Sequence, residues 1–326
     1  MLRFLKKYFR SSLLVLLLGG VTWFAQAQSY PTRSIQLVVP APAGGGTDYA
    51  ARLIATKLSE SLGTNVVVEN RGSAASNVGT AHVAKSAPDG YTLLMSITSF
   101  STNPALFSNL TYDTIKDFEP ISLIARAPLL LVVNPSVQAN SVKDLIALAK
   151  SKPGQINFAN AGSGATSHLA SELFRKMADV NIVPINYRGS SQALTDLIGG
   201  QVQMYFVTVP AVLQHINSGR LRAVAVSSTK RIPELPNVPT VDESGLRGFD
   251  VVAWFGVFAP AGTPKPIIQK LNAELVKILN QPDTREKLNG HGLIAGGTSP
   301  EELGVLLRTE VASWTKLIKE AGIKAE

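Results

Sequence analysis

The chain has 326 residues, no cysteine and a formal net charge of +8 at pH 7. The lack of cysteine excludes disulfides, thiolate catalysis, zinc–sulfur sites and the cysteine that carries the lipid of a lipoprotein. The positive charge is mild, and no segment concentrates lysine and arginine with interleaved aromatic residues, which argues against a nucleic-acid partner.

The first 27 residues predict a secretion signal that is cleaved after Ala27. A short apolar core at residues 13–18 and the small-residue site Ala25-Gln26-Ala27 follow a basic region made of Arg3, Lys6, Lys7 and Arg10. The core is too short for a membrane-spanning helix, although an uncleaved anchor is the alternative. Removing those four cations leaves a charge of about +4, and we expect the mature chain to be a free periplasmic protein.

The mature chain opens on a strand, a glycine loop and a helix. Residues 35–39 (IQLVV) are apolar and mostly β-branched, which predicts a buried strand. Gly44-Gly45-Gly46 follows, and Thr47 and Asp48 predict the N-cap of an amphipathic helix. A helix start presents free amides and a positive dipole end, so this loop predicts a site for a small carboxylate.

Strands and helices then alternate, which predicts an α/β fold with largely parallel sheets. Further strands are predicted at residues 65–69, 91–95, 121–124, 129–133, 156–159, 182–186, 202–206 and 221–226, and an apolar run follows at 251–258. Helices are predicted near residues 82–84, 98–110, 141–151, 166–178, 192–198, 212–216 and 266–279, from Pro282, and at 299–321. Ser141 and Ser299 predict capping-box starts.

The second half repeats the opening arrangement. A glycine loop, Gly162-Ser163-Gly164-Ala165, follows the strand at 156–159 and leads into the helix that begins at Thr166. If the two loops face each other across a cleft, their backbone amides can bind the two ends of a dicarboxylate without a buried arginine.

The mature chain, roughly 300 residues long, exceeds what one core usually serves, so we expect two domains. The C-terminal helices have no sheet of their own and are expected to pack back on the first domain. This predicts one domain from residues 28–126 with 252–326 and a second from 127–251. The crossovers near residues 124–129 and 250–255 would form the hinge.

The first loop has other interpretations. One is a dinucleotide-binding loop, because Glu69 ends the second strand, where the acid that binds the ribose of a dinucleotide is found. The G-x-G-x-x-G spacing of such loops fails, however, because Tyr49 stands where a small residue is needed. A plain tight turn, with glycines for positive φ, stays open. Asp48 either caps its helix or faces a ligand ammonium or an ordered water.

Ser163 and His168 raise the alternative of an exported hydrolase. The nucleophile elbow needs G-x-S-x-G, but Ala161 and Ala165 occupy the glycine positions, and no acid is evident to orient His168. The histidines, which are His82, His168, His215 and His291, lack metal-ligand spacing. We therefore expect a binding protein and not an enzyme, with no metal and no cofactor.

Several motifs occur in order along the mature chain. They are PAPAGGGTD at 40–48, VENR at 68–71, APDGYTLL at 87–94, GSG at 162–164, YRGS at 187–190, DLIGG at 196–200 and WFGVFAPAGT at 254–263. Together they resemble the Bug-type extracytoplasmic solute receptors of tripartite tricarboxylate transporters. The resemblance covers essentially the whole mature chain.

The resemblance implies a two-domain, periplasmic-binding-protein-like (type II) fold with a hinge and an interdomain ligand cleft. It implies a monomer that captures a small organic carboxylate by domain closure and delivers it to inner-membrane tripartite transporter subunits; a co-sensor for a membrane signalling protein is the alternative. The residues expected at the ligand are Ala43, Gly44, Gly45, Gly46, Thr47, Asp48, Ser99, Gly162, Ser163, Gly164, Ala165, Thr166, Tyr187 and Thr208.

This sequence departs from the family pattern at three places. Ala41 stands where an aromatic residue is frequent, Ala75-Ser76 where glycines are usual, and Val207-Thr208 where an aspartate is common. These departures leave the identity of the carboxylate open, and the missing acid disfavours an amino-acid ligand.

Overall fold

A computed structural model describes residues 30–72, 76–187 and 189–324, in which strands and helices alternate. The strands are β1 (Ile35–Val39), β2 (Val66–Asn70), β3 (Thr92–Ser96), β4 (Phe118–Val133), β5 (Asn157–Asn160), β6 (Val183–Asn186), β7 (Met204–Thr208), β8 (Arg222–Val226), β9 (Val252–Pro260) and β10 (Ile294–Ala295). The helices are α1 (Gly46–Leu62), α2 (Asn77–Ala84), α3 (Ser99–Leu106), α4 (Val142–Ser151), α5 (Thr166–Ala178), α6 (Ser190–Ile198), α7 (Val209–Asn217), α8 (Lys265–Leu279), α9 (Pro282–Asn289) and α10 (Pro300–Ala321).

Some predictions fall on residues that lie outside the described chain. They are the secretion signal at residues 1–27, Ala75, and Arg188 of the YRGS motif. Among the described helices, none combines the length and the apolar character that crossing a bilayer requires.

The sheet is built on β4. Its sequence, FEPISLIARAPLLLVV, is almost continuously apolar and mostly buried, which is typical of a strand covered on both faces. It pairs with β9 and β10 along its first part and with β7 and β8 along its last part. The two separate strands predicted at 121–124 and 129–133 are therefore wrong, because Arg126, Ala127 and Pro128 continue the pairing with β9.

The strand order is β2-β1-β3-β9-β4-β7-β5-β6, with β8 and β10 also paired to β4. β1 lies parallel to β2 and β3, and β5 lies parallel to β6 and β7, whereas β4 and β9 run antiparallel to each other. We call the part with β1–β3 the first half and the part with β5–β7 the second half. The parallel strands of each half end in loops that start helices, which is where open α/β sheets bind ligands.

Helix α10 packs on the cores of both halves. Leu303 and Leu307 lie in the core that contains Val38 of β1, whereas Trp314 and Ile318 lie in the core of β4, β5 and α5. The capping box predicted at its start is confirmed. Residues from Arg33 onward cluster as one compact unit, and the predicted boundaries at residues 126 and 251 stay a prediction.

Candidate ligand-binding site

A cavity of about 1100 Å³ is lined by residues of both halves. Every predicted ligand residue lines it except Ala43 and Tyr187. Ala43 is exposed next to the first loop. The Tyr187 hydroxyl donates instead to Asp196 Oδ2 at 2.8 Å, and burial together with that carboxylate raises the pKa of Tyr187 to about 12.

Asp48 anchors the first loop, which we define as residues 42–48. Its side chain is buried, and its Oδ2 accepts hydrogen bonds from the Gly44 amide at 2.9 Å and from Arg52 Nε at 3.0 Å. Its Oδ1 accepts one from Asn70 Nδ2 at 3.0 Å. Burial raises the pKa of Asp48, but the hydrogen bonds from Arg52, Gly44 and Asn70 and the charge of Arg52 outweigh it and hold the pKa below its ordinary value.

Helix α1 begins earlier than the sequence predicts. Its N-cap is Gly45, so the predicted N-cap at Thr47 and Asp48 is wrong. The Asp48 carboxylate reaches back to the amide of Gly44, whose φ of +88° favours glycine, and thereby closes the turn from inside the helix. Gly45 has no side chain to cap the first turn, and the helix supplies no acceptor for the amides of Gly46, Thr47 and Asp48. These amides can donate to an anion in the cavity.

Bonds from α5 hold the second loop, which we define as residues 161–166. The Ala161 amide donates to Ser167 Oγ at 3.0 Å, and the Gly164 amide donates to His168 Nδ1 at 3.2 Å. Helix α5 begins where predicted, and its N-cap, Ala165, makes no side-chain capping bond. The first amides of α5 are therefore also left for an anion at the cavity wall.

Ser163 and His168 face different partners. Ser163 Oγ donates to the carbonyl of Lys324, while His168 Nδ1 accepts from Gly164 and His168 Nε2 lies 3.9 Å from Glu172 Oε1. A general base must reach the proton of its nucleophile, whereas the hydroxyl proton of Ser163 is donated to the carbonyl of Lys324. In the described part of the chain, no three His, Asp or Glu side chains are grouped to hold a metal ion.

One face of α3 lines the cavity. It carries Ser99, Thr102, Asn103 and Leu106, at the i, i+3, i+4, i+7 spacing of a single helical face. Only Ser99 was predicted, although the same spacing counted forward from Ser99 would have identified the others. Ser99 Oγ is buried and has no hydrogen-bond partner among the described residues.

The other walls come from segments that are distant in sequence. Phe255 of β9 and Leu293 lie beside the first loop, because a Cβ placed on Gly46 would be 3.9 Å from Phe255 Cζ and 4.0 Å from Leu293 Cδ2. Tyr49 of α1 stacks on His291 with ring centroids 3.5 Å apart. Phe255, Leu293 and His291 were not predicted as cavity residues, because only the return of the C-terminal segment to the first half brings them here.

The second loop meets a side chain of helix α3. A Cβ on Gly164, whose φ is +71°, would lie 2.3 Å from Leu106 Cδ1 of α3. Gly164 is therefore required both by its backbone conformation and by the close approach of Leu106.

Gly164→Ala is expected to weaken ligand binding by roughly ten-fold, because Leu106 must move out of the space that it fills in this arrangement. Isothermal titration measures the loss. The double variant Gly164→Ala/Leu106→Ala removes the clashing atom and should recover part of the affinity. A double variant that binds no better than Gly164→Ala would assign the loss to backbone strain instead of to Leu106.

Comparison with known proteins identifies the family. Residues 50–323 match the tripartite tricarboxylate transporter family receptor. Protein BugT of Bordetella pertussis is 39% identical over 310 residues, which cover 94% of each chain.

Solved structures show the same relationship. Periplasmic binding protein BugD is 39% identical with a TM-score of 0.75, and 91% of this chain covers all of that chain. An R. palustris protein determined with adipate is 38% identical with a TM-score of 0.79, and the same shares of the two chains are covered. MatC from Rhodopseudomonas palustris, with bound malate, is 32% identical with a TM-score of 0.74, and 89% of this chain covers all of that chain. The chain therefore belongs to the receptors of the tripartite tricarboxylate transporter family: it is a Bug-type solute-binding receptor with the α/β fold of periplasmic binding proteins, and not an enzyme.

Proposed function

We propose that this receptor captures a small organic carboxylate in the periplasm by closing its two halves on it, and then delivers it to the membrane subunits of a tripartite transporter. The observation that carries the proposal is the meeting of two helix N-termini, those of α1 and α5, at one cavity. Each comes from a different half, and neither is capped by its own N-cap side chain. The N-termini of α1 and α5 therefore both offer backbone amides to an anion in the cavity.

The energies are compatible with a working receptor. A hydrogen bond from an amide to a carboxylate contributes about 1.5–3 kcal/mol net. Four to six such bonds support roughly micromolar binding once the free-energy costs of immobilising the ligand and closing the two halves are subtracted. Because the loops are already ordered by Asp48 and by α5, little of that energy is needed to arrange the donors.

Carboxylate binding also agrees with what similar proteins hold. The two R. palustris proteins were determined with adipate and with malate. Export to the periplasm rests on the secretion signal predicted at residues 1–27. We propose a monomer.

Isothermal titration of the purified receptor against mono-, di- and tricarboxylates tests the binding step. A bound acid at 100 times its Kd should raise the free energy of unfolding by about 2.7 kcal/mol, which a thermal-shift measurement detects. No heat and no stabilisation with any carboxylate at millimolar concentration would refute the proposal.

Delivery needs its own experiment. Uptake of a labelled acid that binds should depend on this receptor when it is added to vesicles that contain the cognate membrane subunits. A receptor that binds the acid but supports no uptake, while the liganded form captures a membrane sensor, would establish the sensory alternative.

Ser163→Ala separates the receptor from the hydrolase that the sequence left open. Because Ser163 Oγ is bonded to the carbonyl of Lys324, we expect a change of less than about five-fold in carboxylate affinity. No ester panel should be turned over by either form. Ester turnover by the wild type that the variant lacks would instead establish the enzyme.

A further inference from the structure

We propose that the acid taken by this cavity has a hydrocarbon body of six or more carbons, either a chain or one aromatic ring, and no hydroxyl or amino group next to its carboxylate. This inference rests on the proposed function, because it assumes a carboxylate at the amides of the first loop. It concerns what lies beyond that carboxylate.

The first carbons of such a ligand meet hydrocarbon. Phe255 Cζ and Leu293 Cδ2 lie 3.9 and 4.0 Å from the position of a Cβ on Gly46. Phe255 and Leu293 are 8% and 4% exposed, so packing holds both side chains in place. A ligand hydroxyl placed against them would lose its hydrogen bonds to water without replacement, which is unfavourable.

The second loop has an apolar neighbour as well. Leu106 lies against Gly164, where a Cβ would be 2.3 Å from Leu106 Cδ1. Leu53 and Ile97 add to the cavity wall. A chain that runs from one loop toward the other therefore passes apolar side chains at both of its ends.

The charges in the cavity do not suit a polyanion or an amino acid. Among the described lining residues, Asp48 and Arg52 carry full charges, and they are paired with each other at 3.0 Å. The Asp48 carboxylate also accepts hydrogen bonds from Gly44 and Asn70, so most of its acceptor positions are already used within the fold. The hydroxyls of Ser99, Thr102 and Thr208 add uncharged polar groups to the wall.

The cavity also has room for such a body, since about 1100 Å³ exceeds what a molecule of this size needs. A longer hydrocarbon body covers more of the apolar wall and is favoured by the area that it buries.

Titration calorimetry with two matched series tests the proposal. The first series lengthens the chain from butanedioate through hexanedioate to octanedioate, and affinity should rise by about four-fold per methylene until the cavity is full. The second compares butanedioate with malate and aspartate, which have the same chain length and should each bind at least five-fold more weakly than butanedioate, and with citrate, which should bind at least five-fold more weakly than hexanedioate. Benzoate should bind more tightly than acetate.

The outcomes separate this inference from the proposed function. If malate, aspartate or citrate binds as tightly as hexanedioate or octanedioate, the hydrocarbon specificity is wrong while carboxylate capture stands. If no acid in either series binds, the proposed function fails, and this inference fails with it.

Leu106→Gln supplies the structural control. A polar side chain of similar length at the cavity wall should reduce the ratio of octanedioate to butanedioate affinity by about ten-fold. Val305→Gln on α10 is the matched substitution outside the cavity, at a residue that is 55% exposed, and it should leave the ratio unchanged. Thermal unfolding of both variants confirms the fold. An unchanged ratio in a folded Leu106→Gln protein would overturn the role assigned to this wall.

Discussion

Gly45→Val is expected to lower carboxylate affinity at least 100-fold while the free energy of unfolding changes by no more than about 1 kcal/mol. Gly45 is exposed in extended backbone, with φ −84° and ψ 172°, and a Cβ there meets no atom within 4 Å. Valine therefore fits the fold, and its side chain projects beside the amides of Gly46 and Thr47. Losing two amide–carboxylate bonds of about 1.5–3 kcal/mol each accounts for the expected loss.

Gly189→Val is the matched control. Gly189 is also an N-cap glycine in extended backbone, it also has open space around its Cβ, and it does not line the cavity. Both variants lose the same N-cap residue type, so only Gly45→Val should change the titration. If Gly45→Val binds as the wild type does, the carboxylate is not held by the amides of the first loop.

Asp48→Asn is expected to destabilise the protein by about 2–4 kcal/mol and to weaken binding roughly ten-fold. The two carboxylate oxygens of Asp48 accept hydrogen bonds from Gly44, Arg52 and Asn70. An asparagine side chain has a single acceptor oxygen, and its NH₂ group would face one of these hydrogen-bond donors. The first loop then loses the bond that holds its turn. Urea unfolding and titration calorimetry measure the two effects.

The loss of stability should depend on pH in a defined direction. The pKa of Asp48 in the folded protein lies below its ordinary value of about 3.9. Its contribution is therefore fully present above pH ~3.9, the unfolded value, and is lost as the pH falls through the lower folded value. The difference between wild type and Asp48→Asn should be constant from about pH 5 to 8 and should shrink below about pH 3.9.

Asp144→Asn provides the comparison on α4. Asp144 also lies in the first turn of its helix and also accepts from an amide four residues earlier, that of Asn140, but it is exposed and lies outside the cavity. Its substitution should have a much smaller effect on stability and none on binding. Equal effects of the two substitutions would show that Asp48 acts only as an acidic residue in the first turn of its helix, with no role in ligand binding.

The loops of the site were found from sequence because their signal is local. A strand, a run of glycines and a helix occupy one short segment, and the structure places residues 44–48 and 162–166 at the same cavity. The start of α5 at Thr166, the Ser141 N-cap of α4 and the capping box of α10 were correct for the same reason, since caps depend on residues three or four apart. The predicted start of α1 was wrong because Asp48 lies inside the helix and accepts a hydrogen bond from the amide of Gly44. N-cap preferences do not distinguish an aspartate in this position from one that is itself the N-cap.

The sequence by itself determined the alternation of strands and helices, the two glycine loops and the family, because each follows from short patterns or from their order along the chain. The tertiary structure decided the continuity of β4, since Arg126 to Pro128 stay extended by pairing with β9, far along the chain. It also decided the walls of the cavity. Phe255, Leu293 and Leu106 meet the glycine loops through packing between distant segments, and no local pattern records which apolar residue will face a ligand and which will face the core.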